Sequence, residues 1–412
     1  MLRQFESLNL FKTYIIFLFF LSCFYLSAVY LSTVNNAMSE WVINYGGGFV
    51  RRGFFGEIIL QLSIFFKIKL REGFLIFQIL LYLFYYFFIY WLLSSFKKNF
   101  IIYLAIFSPV FYSFGLYELE ALGRKEILMY IFFSYNFYLF YKYKNINLNY
   151  IFTGISLVIL ILNHESVIFY YLFYLFFFIV VDKKKDFRFY LLNFLLLLIV
   201  IFTSYLIYTN PHSSADNLEM CSRLLNLSDE KCGLGASFTT ANISWHINEV
   251  GWRSKDVINY ILIFIFGFIG IFILIYKSKL TSRFYILNLN LFSIIIFCSL
   301  PGLLLFLIAV DAGRWTSMLY HMIAISFFGM IKLGYVKLDS NIKYKYINFN
   351  KLKNNFLFYF LLFILCFGWS PKAVYHESFG TFPAYRMLAK SKNFIQNFND
   401  PKHLFNKLLI NK

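Results

Sequence analysis

Long apolar stretches without charge alternate with short polar segments along this chain of 412 residues. Each stretch of about 20 apolar residues is long enough to cross a hydrocarbon core about 30 Å thick as a helix. Runs such as 191–205 do not alternate between apolar and polar residues, as the strands of a membrane barrel would. The pattern predicts an all-α polytopic membrane protein, with residues 1–412 forming a single integral membrane domain. We expect about 11 spans, near 12–33, 73–95, 99–117, 126–141, 150–163, 166–181, 188–208, 257–276, 283–310, 316–336 and 355–370.

The composition agrees with a membrane protein, since 60% of the residues are hydrophobic and 14% are charged. A soluble domain carries about 25% charged residues. The predicted inner segments hold 19 basic and 4 acidic residues, and the outer segments hold 19 and 16, which accounts for all 38 and 20. Basic residues are retained on the cytoplasmic side, so the N-terminus is expected inside and the C-terminus outside. The positive charge is therefore topogenic and does not predict a nucleic-acid partner.

Three outer segments are expected: a first outer loop at 34–72, a large loop at 209–256 and a C-terminal tail at 371–412. The stretch 54–68 is apolar enough to span, but a span there would reverse the sidedness of its neighbours. We predict a re-entrant or interfacial helix for it, because its flanks are basic. The stretch 150–181 is expected to form two short helices that meet at residues 163–166, below the outer surface.

Cysteines in the large outer loop raise the question of a disulfide. Cys221 and Cys232 both lie in this loop, where an oxidising exterior would allow a bridge between them. Two free thiols are the alternative. The chain has no CxxC or Cys/His spacing suited to zinc, and we predict no metal site.

The first polar cluster lies in the first outer loop and combines Glu40, Arg51, Arg52 and Glu57 with five glycines. Glycines allow the backbone to fold tightly against a ligand, and arginines present fork-shaped donors that match phosphate oxygens. The cluster predicts a diphosphate-binding loop with a carboxylate at hand. A flexible turn whose arginines contact lipid headgroups is the alternative.

A second polar cluster joins two spans and contains Glu118, Glu120, Arg124, Lys125 and Glu126. Arg124 is a candidate phosphate ligand, and Glu120 is a candidate supporting carboxylate. The opposite charges could instead pair with one another at the surface, where an ion pair contributes little. They could also fasten this connection to the first outer loop.

The remaining two clusters lie at helix ends on the same predicted side of the membrane. His164 and Glu165 form the tip of the sunken hairpin, where they are candidates for a general base or a clamp on a substrate hydroxyl. A polar helix cap is the alternative. Arg314 is a candidate phosphate ligand, with Asp311 orienting it.

Arginines and carboxylates at the outer surface beside a hydrophobic bundle suit a lipid that carries a phosphate or diphosphate and a sugar. The lipid phosphate would be the leaving group, so no nucleotide would be needed, and arginine or a divalent cation would stabilise it. The sequence contains no P-loop, GxGxxG, HExxH or GxSxG motif. The expected roles are phosphate binding by Arg51, Arg52, Arg314 and Arg124, deprotonation by Glu57 or Glu40, and acceptor orientation by His164 and Glu165.

The many spans and the acidic first outer loop, from Glu40 to Glu72, resemble the GT-C class of membrane glycosyltransferases. This resemblance implies a catalytic Asp or Glu in the first loop, which points to Glu40 or Glu57. The loop lacks the Asp-x-Asp pair of that class, so no cofactor is expected to be required. The basic outer loops also resemble those of O-antigen polymerases, which implies roles for Arg51, Arg52, Arg223, Arg253 and Arg314.

The resemblance implies a transferase or polymerase that builds a surface glycan, such as O-antigen or capsule, in the bacterial inner membrane. The implied partners are a polyprenyl-linked sugar donor, a glycan acceptor, the lipid bilayer and other surface-polysaccharide assembly proteins. A lipid-linked oligosaccharide flippase is the alternative. Transporters often show internal repeats and charges within their spans, whereas this sequence shows no repeat and few charges at span centres.

Overall fold

A computed structural model shows the chain as a bundle of α-helices with one small β-sheet. It describes residues 2–31, 36–94, 96, 100–228, 239–240, 254–281, 290–308, 311–338, 356–373, 380 and 382–388. The helices are α1 (Leu2–Leu31), α2 (Asn36–Trp41), α3 (Phe54–Phe66), α4 (Leu70–Leu93), α5 (Phe100–Ile106), α6 (Phe114–Tyr117), α7 (Glu126–Tyr143), α8 (Ile146–Asn163), a 3-10 helix (Glu165–Tyr170), α9 (Tyr171–Val181), α10 (Phe187–Thr209), α11 (Ser214–Ser228), α12 (Ser254–Tyr276), α13 (Leu291–Leu303), α14 (Leu305–Ile308), α15 (Ala312–Lys332) and α16 (Phe356–Phe367).

Two short strands make the fold slightly different from the expected all-α architecture. Strand β1 (Ser278–Leu280) follows α12, and strand β2 (Val336–Leu338) follows α15. They pair in antiparallel register, with Lys279 opposite Lys337. The pair therefore joins the C-terminal ends of α12 and α15. These helices are far apart in the chain, and the sequence pattern did not predict this contact.

Six helices within the described ranges are long and apolar enough to cross a membrane, as expected for a polytopic helical membrane protein. They are Leu10–Ala28, Leu70–Leu93, Ile146–Asn163, Phe187–Thr209, Lys255–Tyr276 and Leu291–Ile308. The expected count of about 11 spans is not confirmed.

The expected span at 99–117 is not one continuous helix, because the described chain is helical there only in α5 and in the four-residue α6. Pro109 lies three residues after the end of α5. Proline has no amide hydrogen to donate, and its ring disfavours helical geometry in the preceding residue, Ser108. The apolar run is therefore broken between the two helices, although its length alone suggested a single helix.

The two-helix interpretation of 150–181 is confirmed. Helix α8 ends at Asn163, and His164 has an extended backbone (φ −160°, ψ 111°) before the 3-10 helix begins. The Nδ1 atom of His164 accepts a hydrogen bond from the amide of Ser166, at 3.3 Å, and so caps the new helix. The break places His164 and Glu165 at the tip of a hairpin.

A separate short helix in the first outer loop is also confirmed. Helix α3 begins at Phe54 and ends where Lys67 adopts the left-handed conformation (φ 55°). Its buried face contains Ile59 and Leu60 and packs on α4, whereas Phe65 and Phe66 on the other face are exposed. Thirteen residues rise only about 20 Å, so α3 is too short to cross a bilayer, and its interfacial location stays a prediction.

Helix α15 forms the centre of the bundle. Every residue from Ala312 to Met330 is buried, and the helix packs against α4, α7, α12 and α13. Its 21 residues rise about 30 Å. The β-sheet therefore lies near one end of α15, and Asp311 and Arg314 lie at the other.

Candidate functional site

The four polar clusters of the sequence meet at the N-terminal end of α15. Arg124 and Glu40 form an ion pair at 2.5 Å between Nη1 and Oε1, across 84 positions of the chain. Arg314 lies against three carboxylates. It pairs with Asp311 at 2.5 Å, makes a short contact with Glu126, and lies 3.7 Å from Glu40.

The hairpin tip completes the assembly. Glu165 pairs with Arg52 through both Nε and Nη2, the closest approach being 2.5 Å, and lies 3.6 Å from Nη1 of Arg51. Lys125 donates from Nζ to the carbonyl oxygen of Arg52 at 2.5 Å. We call these residues the central cluster: Glu40, Arg51, Arg52, Arg124, Lys125, Glu126, His164, Glu165, Asp311 and Arg314.

Charges nearly balance in the central cluster, where four arginines and Lys125 face four carboxylates. Glu40, Glu126 and Arg314 are each less than 7% exposed. Burial alone would raise the pKa of Glu40, but Arg124 and Arg314 outweigh it and hold the pKa below the ordinary value. Glu40 is therefore ionised near pH 7, and its charge is compensated inside the protein.

Several polar atoms of the central cluster and of the adjacent Asn163 are buried without a hydrogen-bond partner in the described structure. They are Oε2 of Glu40, Oε2 of Glu126, Nε2 of His164, Nε of Arg314 and both side-chain polar atoms of Asn163. A buried polar group without a partner is destabilising by about 1–3 kcal/mol. A purely structural ion-pair network would satisfy these atoms internally, so their concentration here favours a ligand site.

His164 lies within the cluster as a neutral side chain. Burial lowers its pKa to about 4, and the nearby Arg52 acts in the same direction. Because Nδ1 accepts from the amide of Ser166, the proton of the neutral ring is on Nε2, which lies 3.8 Å from Oε1 of Glu126. His164 is thus a hydrogen-bond donor at neutral pH, and acting as a base there would require the other tautomer.

Lys125 has an unusual environment that predicts a pH-dependent stability. It is 1% exposed, and its Nζ lies 5.4 Å from the ring centre of Trp41. Burial and the charge of Arg52 lower its pKa to about 7, against the opposing effect of Glu40 and the other carboxylates. Between about pH 7 and pH 10.5 the unfolded chain then binds a proton that the folded protein does not, so stability rises with pH.

We expect Lys125→Met to remove this rise while keeping the side-chain length. The measurement is the thermal unfolding midpoint of the purified protein in nanodiscs at pH 7 and at pH 9.5. Other titrating groups are common to both proteins, so only the difference between them reports on Lys125. Parallel pH profiles for the two proteins would contradict the lowered pKa.

Three acidic residues of the polar segments lie outside the central cluster: Glu57, Glu118 and Glu120. Glu57 forms a two-point ion pair with Arg223 at 2.8 Å, and also accepts from Gln61 and from the amide of Tyr45. None of its described contacts is with the central cluster. The side chain of Glu120 is exposed, and only its carbonyl oxygen holds Arg124, at 2.8 Å.

Glu118 fastens the C-terminal region to the bundle instead of joining the cluster. It is 2% exposed, pairs with Arg386 at 2.7 Å and lies 3.8 Å from Lys372. The sequence suggested that Arg386 lies on anionic lipid headgroups, and it did not indicate a pair with Glu118. The signal was weak, because Arg386 follows Glu118 by 268 residues.

The glycines of the first outer loop have a structural role that the sequence did not suggest. A Cβ atom on Gly47 would lie 2.1 Å from the carbonyl oxygen of Asp216 in α11, and one on Gly56 would lie 1.8 Å from that of Ile43. A Cβ atom on Gly46 would lie 2.8 Å from Cδ of Arg223 in α11. These glycines let α11 and the loop's own backbone approach closely, and the expectation that they fold against a ligand is not supported at these positions.

This close approach predicts that Gly47→Ala displaces α11 and lowers the free energy of unfolding by about 1–3 kcal/mol. The measurement is thermal unfolding of the purified protein. Gly154→Ala is the matched control, because a Cβ there would lie 3.4 Å from Ile199, an ordinary contact. Since Gly154 lies inside α8, alanine should slightly stabilise it. Equal midpoints for the two variants would contradict the packing role of Gly47.

The described cysteines comprise one that is in a disulfide and three that are free. Cys221 is disulfide-bonded, whereas Cys23, Cys298 and Cys366 are free. Cys232, its expected partner, lies outside the described residues, as does Arg253. In the part of the chain that the structure describes, no group of three or more His, Cys, Asp or Glu is placed to hold a metal ion.

Comparisons with protein-family models, with curated proteins and with solved structures find no match to this chain.

Proposed function

We propose that the protein is a membrane glycosyltransferase or polysaccharide polymerase at the outer face of the bacterial cytoplasmic membrane. Its substrates would be a polyprenyl-phosphate-linked or polyprenyl-diphosphate-linked sugar and a glycan acceptor. About 11 spans, a cytoplasmic N-terminus, a GT-C-like architecture and contacts with other surface-polysaccharide assembly proteins belong to the same proposal. The observation that carries it is the convergence of four arginines, Lys125 and four carboxylates, several with unpartnered atoms, at one end of the helix bundle.

The arrangement of Arg51 and Arg52 supports phosphate binding. Both guanidinium groups converge on Oε1 of Glu165, at 3.6 Å and 2.5 Å. Phosphate offers oxygens of similar geometry and more negative charge, so it can replace the carboxylate in this fork. Glu165 would then be released to orient the acceptor together with His164.

Glu40 is a better candidate for the base than Glu57. Its Oε2 is buried without a partner, whereas both oxygens of Glu57 are hydrogen-bonded. In the proposed step, the acceptor hydroxyl gives its proton to Glu40 and its oxygen bonds to the anomeric carbon. The bond from that carbon to the phosphate oxygen breaks, and its electron pair leaves with the phosphate, whose charge Arg314 stabilises. Another arginine of the central cluster or a divalent cation could also stabilise the charge of the leaving phosphate.

Glu40→Gln tests the assignment, with Glu57→Gln as its control. In a deletion strain complemented with each variant, we expect Glu40→Gln to reduce the surface glycan on a gel by at least 100-fold, because general base catalysis contributes about 10²–10⁴. Glu57→Gln should retain at least half, since Glu57 binds Arg223 at a partly exposed position. Intact ladders for both variants would refute the base, and intact ladders in the deletion strain itself would refute the function.

A further inference from the structure

A narrow cavity lies inside the bundle beside the central cluster. It is lined mainly by aromatic rings, and we call it the tyrosine cavity after Tyr82, Tyr85, Tyr86, Tyr112 and Tyr130. Arg124, Glu126 and Arg314 of the central cluster also line it. Its volume is about 50 Å³, which is enough for a few water molecules or for one hydroxyl or hydroxymethyl group.

Three polar atoms of the lining residues have no hydrogen-bond partner in the described structure: the hydroxyl of Tyr112, which can both donate and accept, and one atom on each of two charged side chains. One is Oε2 of Glu126, which can only accept, and the other is Nε of Arg314, which can only donate. Both side chains are about nineteen-twentieths buried, at 6% and 5% exposure. A ligand that satisfies both atoms must donate one hydrogen bond and accept another.

The part of the cavity wall around His321 is uncharged, and both ring nitrogens of His321 are hydrogen-bonded. Nδ1 of His321 lies 2.7 Å from the carbonyl oxygen of Ser317, so it carries the proton and donates it. Its Nε2 then accepts from the hydroxyl of Tyr85, also at 2.7 Å. The ring is stacked on Tyr130 with centroids 3.9 Å apart. This wall offers a ligand aromatic surface and no additional charge.

The charged residues that line the cavity, Arg124, Glu126 and Arg314, determine which class of ligand fits. An anion would face the carboxylate of Glu126, and a cation would face Arg124 and Arg314. An uncharged hydroxyl group avoids both repulsions and can donate to Glu126 while it accepts from Arg314.

We propose that the tyrosine cavity receives an uncharged hydroxyl or hydroxymethyl group of the glycosyl substrate, held by Glu126 and Arg314. This inference depends on the proposed function for the identity of the substrate. Arg314 would then contact two parts of the substrate, which are the phosphate on the side of Arg51 and Arg52 and the sugar hydroxyl in the tyrosine cavity. Glu126 is a binding residue in this arrangement, a role that its position beside Arg124 and Lys125 in the sequence did not reveal.

Removing one hydroxyl from the cavity wall tests the proposal. Tyr130 lines the cavity, and none of its described contacts is a hydrogen bond from its hydroxyl. Tyr174→Phe is the matched control, because its hydroxyl is buried without a described partner but lies outside the cavity lining. In membrane vesicles supplied with lipid-linked glycan extracted from producing cells, we expect Tyr130→Phe to raise KM about five-fold with kcat within two-fold. Both constants should be unchanged in Tyr174→Phe, and an unchanged KM in Tyr130→Phe would overturn the proposal.

A second measurement does not require transfer. Ser317 lines the cavity, so Ser317→Cys in a background with Cys23, Cys298 and Cys366 replaced by alanine gives a thiol there. The extracted lipid-linked glycan should slow its reaction with methyl methanethiosulfonate at least five-fold. No slowing would overturn the tyrosine-cavity proposal whatever the transfer assay shows. Slowing without any transfer would support the cavity as a binding site and reject the transferase.

Discussion

Arg314→Ala is expected to destabilise the folded protein by about 3–5 kcal/mol, because it leaves buried carboxylates without their counter-charge. The guanidinium group is 5% exposed and contacts Glu126, Asp311 and Glu40. Asp311 is partly exposed and can be solvated, but Glu126 and Glu40 cannot. The measurement is the thermal unfolding midpoint in nanodiscs, together with the yield of monodisperse protein.

The double variant Glu126→Leu with Arg314→Leu separates stability from function. Replacing a buried ion pair with apolar side chains is often neutral or stabilising, so most of the lost stability should return. The glycan should not return, because the proposed phosphate ligand is still absent. Wild-type stability of Arg314→Ala would contradict the ion-pair account, and glycan synthesis by the double variant would contradict the proposed role of Arg314.

The sequence predicted the gathering of the clusters because hairpin tips on one side of a membrane share a small area. The ends of α8 and the starts of α7 and α15 meet as expected. It could not predict which charges pair. Arg52 binds Glu165, 113 positions away, and Arg124 binds Glu40, and such choices depend on how the helices pack.

Other features left weaker signals in the sequence. Pro109 does mark the break after α5, but the long apolar run around it still favoured the prediction of one continuous span. The role of Gly47 depends on α11, which comes from a distant segment. The tyrosine cavity had no visible signal, because its residues are scattered among 33 tyrosines in a chain rich in aromatic residues.

Arg52→Ala is expected to reduce glycan assembly by at least 100-fold. Arg52 would contribute two charge-assisted hydrogen bonds to the phosphate, each worth roughly 1.5–3 kcal/mol. Its backbone lies in the left-handed region (φ 67°), a conformation that a non-glycine residue maintains only when its surroundings enforce it. Arg52→Lys should not rescue assembly, because an ammonium group cannot present the paired donors of a guanidinium group. The measurement is the amount of surface glycan on a gel at matched expression.

Lys67→Ala controls for both the charge and the backbone. Lys67 lies in the same loop, is exposed, and also has a left-handed conformation (φ 55°), but it contacts no residue of the central cluster in the described structure. Its replacement should leave the glycan unchanged. The exchange Arg52→Glu with Glu165→Arg goes further, because it restores an ion pair between the first outer loop and the hairpin tip while it moves the guanidinium group to the tip. A stable but inactive exchange variant supports phosphate binding at position 52, whereas full activity would show that only the ion pair matters.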